Sequence, residues 1–157
     1  MNRKGFTLIE LLIVIVILGI LAALISGNFI TSLIKGRDTR RKADLEQIQS
    51  ALEMYYEDKG SYPTFNIFAT AGYQLCETKI ASTCGSEKVY MIKTPDDPLS
   101  SNNYVYSQTG SAYQLYSCIE NSQDQGQGVK QTGYGVSCGS GVCNPCKYGI
   151  SSPNTNP

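Results

Sequence analysis

Apolar residues crowd the front of this chain and thin out behind it. Over residues 6–25 the run FTLIELLIVIVILGILAALI is interrupted only by Thr7, Glu10 and Gly19. At about 1.5 Å per residue a helix of that length spans roughly 30 Å, the thickness of a hydrocarbon core. The pattern therefore predicts a membrane-spanning helix over residues 6–30. Past Gly27-Asn28 the chain becomes charged, and Leu45, Ile48, Leu52 and Tyr55 recur at i, i+3, i+7 and i+10, one stripe of an amphipathic helix over residues 31–59. Asp38/Lys42, Arg40/Asp44 and Lys42/Glu46 stand at i, i+4, each pair expected to add about 0.2 to 0.5 kcal/mol. Gly60, with Pro63 just beyond, is a stop signal. A single helix over residues 6–59 would be roughly 80 Å long. Gly27 is its expected weak point, by about 1 kcal/mol.

Residues 60–157 read as a small head. Residues 89–92, 104–107 and 113–118 are rich in Tyr, Val and Ile, and Thr109-Gly110 between the last two reads as a hairpin turn. Three strands against the helix stripe predict an α+β unit with a small antiparallel sheet. A polar, Gly-bearing loop follows Cys118, and then a Cys/Gly-rich tail.

Composition narrows the chemistry. There is no histidine among the 157 residues, which removes Ser-His-Asp and Cys-His catalysis and imidazole pH switching. The expectation is a protein that is not an enzyme. All six cysteines, Cys76, Cys84, Cys118, Cys138, Cys143 and Cys146, lie in the head. An even number in so short a segment suggests disulfides made in an oxidising compartment, with Cys76 and Cys84 forming a local loop. The Cys143-x-x-Cys146 spacing leaves open a membrane-anchored thiol redox protein or a thiolate metal site. The basic run Lys35, Arg37, Arg40, Arg41 and Lys42 reads either as a patch for nucleic acid or anionic lipid, or as a solvated helix face laced with ion pairs. Glu10 is a carboxylate inside an apolar run, so it needs either access to the headgroups or a partner.

The stretch Lys4-Gly5-Phe6-Thr7-Leu8-Ile9-Glu10, after a short basic leader and before the apolar helix, resembles the prepilin motif of type IV pilins and type II secretion pseudopilins. The resemblance implies cleavage between Gly5 and Phe6 by a membrane prepilin peptidase, methylation of the new amine, and a pairing of Glu10 with the Phe6 amine of a neighbouring subunit. A cation and a carboxylate meeting in an apolar filament core offset each other's desolvation. Loss of residues 1–5 removes Arg3 and Lys4 from a chain with 13 basic and 13 acidic side chains, leaving the mature side chains at net −2.

The expected function is thus a structural subunit of a type IV pilus-like filament, or alternatively the major pseudopilin of a type II secretion system. Its partners would be the peptidase, an inner-membrane assembly platform, copies of itself, related minor pilins, and lipid before assembly. The motif puts the leader in the cytoplasm and the head outside. Five cations after the span against two before it argue the reverse by the positive-inside rule. A second stretch, Thr94-Pro95-Asp96-Asp97-Pro98 with Tyr104-Val105-Tyr106 and the residues from Tyr113 to Ser117, is similar to major pseudopilins, which often bind calcium in the following loop. The resemblance makes Glu120, Asn121 and Asp124 the calcium candidates, although their spacing matches no EF-hand loop. A plain solvated loop is the alternative.

Overall fold

The computed structural model describes residues 5–157, apart from the side chains of residues 25–28; the basic leader residues Arg3 and Lys4 lie outside the described residues. One helix, α1 (Leu8–Lys59), forms the spine. Thr7 caps it, its hydroxyl accepting the Glu10 N–H while the Glu10 side chain accepts the Thr7 N–H, a reciprocal capping box. Gly60 ends it in the left-handed region (φ 68), donating its N–H to the Tyr56 carbonyl, a conformation that costs glycine no Cβ clash. Gly27 and Asn28 fall within this one element.

The two halves of α1 meet different surroundings. Leu8, Leu12, Ile17 and Leu24 are all more than half exposed, whereas Leu45, Ile48, Ala51 and Leu52 are almost fully buried against the head. The expected stripe is the one that packs. No part of the described chain covers the apolar front half, which is long and apolar enough to cross a membrane.

The head contains two small antiparallel sheets, not one. The first has the order β2-β1-β3, from β1 (Gln74–Cys76), β2 (Ile80–Ala81) and β3 (Val89–Met91). The second has the order β4-β5-β6, from β4 (Val105–Thr109), β5 (Ala112–Ser117) and β6 (Tyr148–Ser151). The β4–β5 hairpin turns at Gly110 (φ 60), with Thr109 opposite Ala112. The expected strands at 89–92 and 104–107 shift by a residue or two, and Ile92 lies outside β3 at 78% exposed. Strands β1, β2 and β6 were not expected. They are short, and β6 lies in the Gly-bearing tail, paired to β5 through Leu115 opposite Ile150. Leu75, Tyr113, Leu115, Ile119 and Tyr148 close the core over the α1 stripe.

Candidate functional site

At the entry to α1, Gly5 and Phe6 precede the helix without regular structure, Phe6 is 87% exposed, and among the described residues nothing lies within 4 Å of where a Gly5 side chain would begin. Glu10 is positioned by the first helical turn. One carboxylate oxygen, Oε2, accepts both the Thr7 N–H and the Thr7 hydroxyl at 2.8 Å. These donors are neutral, so they satisfy hydrogen bonding without cancelling the charge. The helix N-terminus adds about half a positive charge beside it. Sequence reasoning singled out Glu10 but missed Thr7 as its partner. The Thr-x-x-Glu spacing is a capping-box signature that carried the signal.

At the other end of the spine, the basic run is drawn into the protein. Arg41 is fully buried. Its Nε and Nη2 donate to the two oxygens of Asp97 at 2.7 and 2.8 Å, and its Nη1 donates to Asp38 at 2.9 Å and Glu120 at 2.6 Å. Arg37 grips both oxygens of Glu120 at 2.8 and 2.5 Å, and Lys42 reaches Asp124 at 2.7 Å. Asp38 in turn accepts the backbone N–H groups of Glu120 and Asn121 at 3.0 and 2.8 Å. The Arg37 guanidinium, aided by Arg41 and opposed by burial, holds the Glu120 carboxyl below its ordinary range. Burial disfavours the Arg41 charge, but its hydrogen bonds to Asp97 and Glu120 outweigh that and raise its pKa.

The run is not a continuous basic patch, and its ion pairs are as expected, but their partners differ: long-range carboxylates claim Arg37, Arg41 and Lys42, burying Arg41, while Lys35 and Arg40 stay exposed. Of the three expected i, i+4 pairs, Arg40 approaches Asp44 at 3.7 Å, whereas Asp38 turns to Arg41 and Lys42 to Asp124. Three of the five cations that argued for a cytoplasmic head are therefore matched inside the fold. The calcium candidates do not converge on one point. Glu120 faces two arginines, Asp124 faces Lys42, and the Asn121 side chain accepts the Gln123 N–H at 3.1 Å. Among the described residues no group of three acidic, Cys or His side chains is placed to hold a metal ion.

All six cysteines are bonded. Cys76 joins Cys84 in the local loop, Cys118 joins Cys143, and Cys138 joins Cys146. Cys143 and Cys146 are therefore not each other's partner, and with no free thiol the CxxC spacing does not form a dithiol pair. The last two bonds interlock and, with Tyr116, form a second small core.

A long apolar helix with one carboxylate at its entry, running on into a small disulfide-bearing α+β head, defines the pilin-like class of filament subunits. Comparison with known families agrees. The prokaryotic N-terminal methylation motif matches residues 1–26, and type II secretion system (T2SS), protein G matches residues 28–133. The chain belongs to the type II secretion system protein G family. It is similar to the type II secretion system core protein G of Pseudomonas aeruginosa, 32% identical over 134 residues, covering 80% of this chain and 89% of the relative. The core protein G of Escherichia coli is 31% identical over 118 residues, covering 74% of this chain and 81% of the relative. That of Vibrio cholerae is 30% identical over 133 residues, covering 82% and 88%. No solved structure matches significantly.

Proposed function

We propose that the mature chain is the major pseudopilin of a secretion system, a structural subunit without catalytic activity. The observation that carries the reading is the uncovered apolar half of α1 with Glu10 at its entry. Such a surface is stable in lipid before assembly and against like helices afterwards, and Glu10 supplies the one charge that fixes their register. Family membership favours a secretion pseudopilus over a surface pilus. The leader faces the cytoplasm, where prepilin peptidase cuts between Gly5 and Phe6. The head lies outside, where six cysteines can oxidise. An inner-membrane assembly platform and minor pilins complete the set of partners.

The test is Glu10→Ala. Intact mass should show leader loss as in the wild type, while assembled material sheared from cells falls by about tenfold or more, as expected when a paired buried charge loses its partner. Wild-type filament yield from this variant would overturn the pairing of Glu10 with the Phe6 amine.

A further inference from the structure

The loop after β5 is where the family resemblance implies calcium, yet in this chain its oxygens already have donors. Both Glu120 oxygens are held by guanidinium groups, Oε1 by Arg37 at 2.8 Å and Arg41 at 2.6 Å, and Oε2 by Arg37 at 2.5 Å. Asp124 accepts from Lys42 Nζ at 2.7 Å through one oxygen and from the Gly126 N–H at 2.9 Å through the other. The side-chain amide of Gln131 donates to the carbonyls of Asn121 at 3.1 Å and Asp124 at 2.7 Å. Calcium needs about six to eight oxygens aimed at one point roughly 2.3 to 2.6 Å away. Here the lone pairs point at N–H groups instead, and three resident cations would repel a divalent ion brought among them.

A covalent lock complements the ionic one. Cys118 stands two residues before Glu120 and is bonded to Cys143, while Cys138 is bonded to Cys146. Cys138, Cys143 and Cys146 all lie past residue 133, where the family match ends. The tail that carries them also supplies β6, which pairs with β5.

We infer that this head is built without calcium: Arg37, Arg41 and Lys42, presented by one face of α1, hold the loop at residues 119–126 in place of the ion, and the two interlocked disulfides secure it. The helix that assembles the filament is then also the source of the loop's counter-charges. Head integrity depends on oxidation and not on a divalent metal. This stands apart from the assembly reading, because it is measured on the unassembled subunit.

The experiment uses the full mature chain in detergent micelles, with unfolding of the head followed by tyrosine near-UV circular dichroism. Millimolar calcium chloride and excess chelator should give midpoints that agree within about 1 °C. A thiol reductant should lower the midpoint by about 10 °C or more, since the disulfides hold together a domain with a small core. A calcium-dependent rise of several degrees, of the size a saturated site produces, would overturn the inference, as would a saturable calcium isotherm. A midpoint unmoved by full reduction would overturn the role given to the disulfides.

Discussion

Arg41 and Asp97 meet in a two-pronged ion pair, at 2.7 and 2.8 Å, with both side chains fully shielded from water although 56 residues separate them. The pair joins α1 to the loop before β4, and the remaining Arg41 nitrogen reaches Glu120 in the loop after β5. Three segments distant in sequence thus share one guanidinium. Its planar fork suits this task, since each carboxylate meets a separate N–H in a fixed geometry.

Arg41→Met should therefore destabilise the head by about 3 to 5 kcal/mol, because Asp97 and Asp38 are left buried without their cation. Arg41→Lys should cost less but stay well short of neutral, since an ammonium cannot reproduce the fork. Denaturant midpoints of the purified subunit measure both. A loss in Arg41→Met below about 1 kcal/mol, the scale of exposed pairs, would place the pair among the surface ion pairs instead.

The same residue shows where the sequence is legible and where it is not. The α1 stripe of Leu45, Ile48 and Leu52 is readable because its partners are imposed by helical period alone, and the stop at Gly60 is equally local. Glu10 is readable because it is the sole charge in an apolar run. Arg41 sits among four other cations, and only chain segments 56 and 79 residues away decide that it is buried while Arg40 is not. Strands β1 and β2, three and two residues long, carry too little pattern to announce themselves; each exists because a neighbour supplies the ladder. Cys76 and Cys84 are close enough in sequence to suggest each other, but the interlocked pairs depend on how the tail folds back.

Acid should loosen the loop after β5. Arg37 and Arg41 depress the Glu120 carboxyl from its ordinary 4.5. Burial alone would raise Asp124, but the hydrogen bonds from Lys42 and the Gly126 N–H outweigh it and bring it down as well. A carboxyl depressed in the folded state stabilises it above the unfolded pKa, and that contribution is lost as pH falls through the folded value. Asp44, raised chiefly by burial, acts in the opposite sense. The head should hold its stability from neutral pH down to about 4.5 and lose it below. Glu120→Gln should start less stable at neutral pH and decline less steeply in acid. An unchanged slope in that variant would assign the acid lability to other groups.

Two glycines separate strain from steric conflict. Gly133 has φ 82, and a Cβ there would fall 2.0 Å from Cγ of Pro145 and 3.1 Å from the Cys146 carbonyl. Gly110 has φ 60 but opens on empty space. Gly110→Ala should cost about 1 kcal/mol of backbone strain. Gly133→Ala should cost more, about 3 kcal/mol, because the ring must also move in a segment pinned by disulfides. Thermal midpoints give the ranking, and equal losses at the two sites would contradict the packing described around Pro145.

Glu10→Gln divides the two roles of this carboxylate. A glutamine amide oxygen can still accept the Thr7 N–H, so the capping box and the helix entry survive. The negative charge does not. In detergent micelles, amide exchange over the first turn of α1 should match the wild type in Glu10→Gln and quicken by about fivefold in Glu10→Ala, the equivalent of a lost cap worth about 1 kcal/mol. Assembly should fail in both. Wild-type filament yield from Glu10→Gln would mean that hydrogen bonding at the helix entry suffices and that no cation from a neighbouring subunit is needed. Loss of filaments with normal first-turn protection would isolate the charge itself as the requirement, because local helix structure would then be the same in an assembling and a non-assembling subunit.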